Sequence, residues 1–186
     1  LDEIAAAFGE VIDSKSPYTS GHSARVALYA DSIAAELGLE PRRRRWLKRA
    51  SLLHDMGKLG VSNAILDKPG KLDETEWAAV RQHAVYTENI LSRIGAFTEM
   101  AIVSGAHHER LDGKGYPRGI SGEAISLETR IITTADIFDA ITAERPYRGA
   151  MPVAKTLEIM GSEVGQAIDL RCFEALQRIV DELGLS

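Results

Sequence analysis

Apolar residues in this chain recur at the 3.6-residue period of an α-helix almost from end to end, and one glycine-rich stretch, 109–126, breaks that rhythm. Ile4, Phe8, Val11 and Ile12 predict a first helix that buries them on one face. Val26, Tyr29, Ala30, Ile33 and Leu37 repeat the pattern, and Gly38 is placed to end it. Pro41 suits the first turn of a helix running through Trp46, Leu47 and Ala50 to about Leu53. Asp73 with Glu76 reads as a capping box opening a long helix through Trp77, Val80 and His83 to Ile94. A short helix is expected over 97–107. Ile131, Ala135, Phe138 and Ile141 mark another, with Ser126 near its start; the β-branched residues of 130–134 would suit a strand, but the longer helical period outranks them. After Pro146 and Pro152 two helices close the chain, the last on Phe173, Leu176, Ile179 and Val180. The expectation is one all-α domain over 1–186, a bundle of about seven to nine helices with a glycine-rich loop.

Size and charge narrow the function classes. A chain of 186 residues is one domain by default. Its formal net charge of −5 opposes general nucleic-acid binding, which needs basic surface to displace counterions. The run Arg42–Arg45 with Lys48 and Arg49 reads as a solvated helix face. No apolar stretch approaches the ~20 residues that span a bilayer, and no secretory signal pattern is present. The single cysteine, Cys172, excludes a disulfide framework and fits the reducing cytoplasm. The chain opens at Leu1, not Met, and reads as a piece of a longer protein. Leu1–Ser14 is then either the first core helix or an amphipathic connection or homodimer contact.

The five histidines carry the chemistry. His54-Asp55 lies where a helix gives way to the Gly57/Gly60 segment, His83 within the next long helix, and His107-His108 at the mouth of the glycine-rich loop. Asp136 sits one position off the apolar face of the helix beyond. A lone histidine on a helix is ordinarily a surface or core residue. Here four successive elements each offer one or two N/O ligands, and helical bundles hold metal sites in this way. Six ligands are too many for one open tetrahedral zinc and suit two metals bridged by a carboxylate. Imidazole mixed with carboxylate fits iron, manganese or zinc. Spacing alone names no substrate.

The order of residues goes further. His54-Asp55-Met56-Gly57-Lys58, then His83, then His107-His108-Glu109-Arg110-Leu111-Asp112-Gly113-Lys114-Gly115-Tyr116-Pro117, then Asp136, resembles the HD-GYP branch of the HD-domain metal-dependent phosphohydrolases. The likeness runs from Pro17-Tyr18-Thr19-Ser20-Gly21-His22-Ser23 to Arg145-Pro146-Tyr147-Arg148. It implies hydrolysis of cyclic di-GMP to the linear dinucleotide or to GMP, at a dinuclear centre with a bridging hydroxide as nucleophile. The resemblance makes His54, Asp55, His83, His107, His108 and Asp136 ligands of two divalent metals, iron or manganese first, then zinc or nickel. Asp55 is expected to bridge, with His54 and Asp136 on one metal and His83, His107 and His108 on the other. Lys58 is expected to meet charge developing on the phosphate, Arg145 and Arg148 to bind the second phosphate, and Tyr116 to contact substrate. Glu109 and Asp112 are expected to shape the loop or support the histidines. The loop also implies contact with diguanylate cyclase domains, and the family an N-terminal sensory or receiver region.

One position departs from the pattern. Family members with a third metal carry a Glu four residues before the histidine of the GHS segment, and this chain has Tyr18 there. Two metals are therefore expected, leaving His22 a supporting or substrate-side role. Two other readings stay open: the same site acting on cyclic GMP-AMP, and a weakly catalytic module that signals by contact. No ligand of the six is missing, which favours an enzyme. A general mononucleotide hydrolase would leave the GYP segment unexplained.

Overall fold

A computed structural model describes residues 1–144 and 149–185. Among them are nine α-helices and no strand: α1 (Asp2–Asp13), α2 (His22–Glu36), α3 (Pro41–Leu53), α4 (Asn63–Leu66), α5 (Glu74–Leu91), α6 (Thr98–Gly105), α7 (Leu127–Thr142), α8 (Val153–Ser162) and α9 (Leu170–Glu182). The all-α expectation holds. Helix α2 is central, packed on α1, α3, α7 and α9, while α5 lies against α6 and the short 3-10 turn Met56–Gly60.

The local signals act as their chemistry requires. Pro41 begins α3. The Asp73 side chain accepts from Glu76 N–H at 2.8 Å while Glu76 accepts from Asp73 N–H at 2.8 Å, closing a reciprocal capping box. Ser126 caps α7 through Thr129 N–H, and Asp169 caps α9 through Arg171 and Cys172 N–H. Phe173, Leu176, Ile179 and Val180 are buried. Half of the basic run is taken up by ion pairs: Arg43 with Glu99 and Glu128, Arg44 with Asp31, Arg49 with Asp2.

Three boundaries or faces differ from the pattern reading. Helix α5 stops at Leu91, because Arg93 and Ile94 N–H turn to carbonyls three residues back, ahead of Gly95. Helix α6 ends at Gly105, so His107 and His108 lie beyond it in a turn closed by Glu109 N–H to Ala106 O. In α1 the buried face is Ala5, Gly9 and Ile12, while Ile4, Phe8 and Val11 are exposed. Close approach of α1 to α3 accompanies this face: a Cβ on Gly9 would lie 3.4 Å from Leu52, in van der Waals contact.

The connection that positions the site is between the HD turn and α5. Thr87 on α5 is fully buried; its Oγ1 accepts from Gly57 N–H at 2.8 Å and donates to His54 O at 3.1 Å. Gly57 presses so closely that a Cβ would sit 1.9 Å from His83 O. Thr87→Val keeps the shape but strands two buried backbone groups. Urea unfolding is expected to show a loss of roughly 2–4 kcal/mol; a loss under about 0.5 kcal/mol would mean that the turn is held by other contacts.

Candidate metal centre

Each buried histidine is oriented through its Nδ1. His54 Nδ1 donates to Ser51 O at 2.7 Å, His83 to Val80 O at 2.5 Å, and His107 to Ser104 O at 2.5 Å. In all three the acceptor is the carbonyl three residues earlier; Ser51 O and Ser104 O lie in the last turns of α3 and α6, where carbonyls lack a helical partner, while Val80 O lies within α5. This fixes the tautomer with a bare Nε2 lone pair, as a metal-ligating imidazole needs. His22 is oriented by Asp139, whose Oδ2 lies 2.7 Å from its Nδ1 and which also takes a two-nitrogen contact from Arg25.

The Nε2 atoms converge on Asp55. Its Oδ1 lies 3.5 Å from His83 Nε2 and 3.7 Å from His107 Nε2. Its Oδ2 lies 3.5 Å from both His22 Nε2 and His54 Nε2. Asp136 Oδ1 is 3.3 Å from His22 Nε2 and 3.7 Å from His54 Nε2. One carboxylate thus turns an oxygen to each of two donor groups: His83, His107 and His108 on one side, His22, His54 and Asp136 on the other. The Nε2 atoms of His22, His54, His83 and His107, with Asp55 Oδ1, are buried without a hydrogen-bond partner. Buried polar atoms are rarely left so, and four imidazole nitrogens around one carboxylate form the donor set of a hard-to-borderline cation.

The electrostatics separate the two halves. Burial, then the neighbouring His83, pushes the His108 pKa down to about 3. Burial and His108 hold His107 well below the usual imidazole range, and burial lowers His83. That half is neutral and bare at pH 7. Burial also opposes charge on His22, yet Asp136, Asp139 and Asp55 outweigh it and hold its pKa well above normal. His54 is raised too, burial being overcome by Asp55 and Asp136. Asp55 stays ionised despite burial because Lys58, His54 and His22 surround it.

The loop residues have defined contacts. Lys58 Nζ lies 2.5 Å from Asp55 Oδ2. The Tyr116 ring stacks on His108, centroids 4.8 Å apart and planes at 23°. Glu109, buried, accepts from Arg118 and Ile120 N–H, and Asp112 accepts from Lys114 N–H beside Arg110; both shape the loop through these bonds. A Cβ on Gly115 would fall 2.4 Å from His108 O, so the loop closes on the histidines only with glycine there. Arg145 and Arg148 lie outside the described residues.

The structure therefore brings together all six residues of the sequence-predicted ligand set and adds His22 to the His54 and Asp136 group. Sequence reasoning missed Asp139 and Thr87. A signal for Asp139 exists, one helical turn after Asp136 on α7, but only the fold brings His22 to it.

An all-helical bundle holding a buried cluster of imidazoles around one HD carboxylate is the architecture of a metal-dependent phosphohydrolase. The HD domain family model matches residues 7–171, and the chain belongs to that family, in its HD-GYP branch. It is 61% identical to the 3'3'-cGAMP-specific phosphodiesterase 3 of Vibrio cholerae serotype O1, over 98% of this chain and 40% of that protein. It is 37% identical to the cyclic di-GMP phosphodiesterase response regulator RpfG of Xanthomonas campestris pv. campestris, over 95% of this chain and 47% of that one. The chain thus spans less than half the length of these curated relatives. An HD-GYP-type protein from Bdellovibrio bacteriovorus shares the fold with a TM-score of 0.74 at 19% identity, over 97% of this chain and 62% of that one.

The raised pKa values of His22 and His54 give a pH-dependent prediction. A cation and a proton compete for a histidine Nε2, and a raised pKa moves that competition to higher pH. Calorimetric titration of the metal-free protein with manganese is expected to show affinity falling as pH is lowered from about 8 to about 6. An affinity that does not change over that range would contradict the assignment.

Proposed function

We propose that the chain is a cyclic dinucleotide phosphodiesterase working through two divalent cations. The observation that carries this is the two-sided Asp55 carboxylate, with partnerless Nε2 atoms facing both of its oxygens. His83, His107 and His108 would hold one cation, and His54 and Asp136 the other, with Asp55 shared and His22 beside the second. Iron or manganese suits this imidazole and carboxylate set best, with zinc or nickel further options. Bound there, such cations supply Lewis-acid stabilisation of the phosphodiester and activation of water at neutral pH.

The chain's own groups do the rest. The Nδ1 hydrogen bonds of His54, His83 and His107 hold their lone pairs on target, so little reorganisation accompanies reaction. Lys58 Nζ, partly exposed at the edge of the cluster, neutralises Asp55 at rest and is within reach of a phosphoryl oxygen gaining charge. Tyr116 braces His108 through its stacked ring and keeps water from that side. Arg145 and Arg148 are assigned to the second phosphate on the family pattern.

3'3'-cyclic GMP-AMP is the first substrate to try, supported by the 61% identical relative, whose likeness covers 98% of this chain. Cyclic di-GMP, which the motifs alone put first, is the second reading and is supported by the 37% identical response regulator.

The test is turnover of both nucleotides by the manganese- or iron-loaded protein. Hydrolysis of at least one is expected, with kcat/KM ranking the two. Asp55→Ala is expected to remove activity and most bound metal together, and Lys58→Ala to lower kcat about 10²–10³-fold with metal retained. Full metal loading with no turnover of either nucleotide would overturn the reading.

A further inference from the structure

A cavity of about 740 Å³ opens beside the cluster, and Asp55 and Lys58 form one end of its wall. It runs between the end of α1, the α4 region and the first turns of α5. The volume lies within the range of small-molecule sites, far more than one phosphate needs. The floor is aliphatic, including Leu66 and Val80.

Three features of the wall point to its occupant. First, two aromatic side chains, Tyr18 and Trp77, line it while 38% and 46% exposed. A tryptophan left so open beside a cavity contributes little to the core and presents a flat apolar face. Tyr18 also stands where three-metal relatives place an acid, so here that position is a wall of the cavity. Second, two lysines on the wall are free to meet an anion. Lys15 Nζ donates only to a backbone carbonyl, Leu59 O, at 3.3 Å, and Lys71 has no ion pair among the described residues. Lys68 differs, its charge being taken by Glu76. Third, α5 links the cavity to the cluster: Trp77, Val80 and His83 follow at three-residue steps, placing Trp77 about 9 Å along the helix axis from His83.

We propose that this cavity is the subsite for the nucleoside half of the substrate remote from the bond being cleaved, with its base against Trp77 and with Lys71 adding positive charge on the side of the second phosphate. A purely aliphatic groove would suit a peptide or acyl chain. Aromatic faces beside unpaired lysines, continuous with a phosphodiester-cleaving centre, suit a second nucleotide. This assignment rests on the cyclic dinucleotide reading and goes beyond it, making Trp77 and Lys71 determinants of substrate size.

The experiment compares two substrates on the metal-loaded chain: the cyclic dinucleotide the wild type turns over best, and bis(p-nitrophenyl) phosphate, a diester too small to reach from the metals to Trp77. Trp77→Ala is expected to raise KM for the dinucleotide about tenfold or more, by loss of stacking, while the rate on the small diester changes less than about twofold. Trp77→Phe is expected to restore most of the loss, and Lys71→Ala to raise KM for the dinucleotide alone. An unchanged dinucleotide KM in Trp77→Ala would overturn the subsite and leave the proposed activity standing. Equal losses on both substrates would also overturn it, showing a structural effect on the metal centre. A wild type that cleaves the small diester but no cyclic dinucleotide would overturn the proposed function, and the subsite with it.

Discussion

Everything near the centre of this molecule depends on burying an ionised carboxylate, Asp55, among imidazoles. Burial pushes its pKa up, and the opposing charges of Lys58, His54 and His22 push it down further. An isolated buried charge is costly, and such a group normally takes up a proton instead. Asp55 avoids that only because five elements meet around it at once: the turn after α3, the middle of α5, the turn after α6, and the facing sides of α2 and α7. Removing any one of them would expose or unbalance the carboxylate, so the helical packing and the chemistry of the site are one constraint.

The fold meets this constraint with helix ends. The last carbonyls of α3 and α6 have no helical partner, and His54 Nδ1 and His107 Nδ1 supply one. The same hydrogen bonds that finish the helices therefore aim the Nε2 lone pairs inward. Thr87 joins two of these elements by bonding to both ends of the HD turn, and the absence of a side chain at Gly57 and Gly115 lets backbone approach where a methyl group would collide. The imidazole pKa values of the two halves move in opposite directions, up beside the carboxylates and down where burial dominates. That difference follows from placement: His22 and His54 face Asp136, whereas His83 and His108 pack against other rings.

Much of this was legible in the chain order. The helical period gave the element types, the capping box at Asp73 and Glu76 fixed the start of α5, and the HD and HHE strings picked out residues that the fold gathers around Asp55. Legibility failed where packing against a distant segment decided the outcome. The α1 face was misread because Ile4, Phe8 and Val11 are the larger apolar residues, yet the face that packs inward is Ala5, Gly9 and Ile12, with Gly9 close against Leu52. The end of α5 was misread because a turn of three-residue hydrogen bonds continues the apolar spacing without continuing the helix.

What the sequence determined by itself was local or carried by contiguous strings: the helices, their caps, and the identities of His54, Asp55, His83, His107, His108 and Asp136. What only the tertiary structure decided was juxtaposition. The pairing of His22 with Asp139 spans 117 positions, the two-sided exposure of Asp55 needs His22, His83 and His107 from separate elements, and the cavity of Trp77 and Tyr18 is walled by three separate segments. The physical reason is common to all three. Backbone hydrogen bonding within a helix is set by neighbours a few residues away, whereas the field and the shape at a buried site are set by whichever groups close packing brings within a few ångströms.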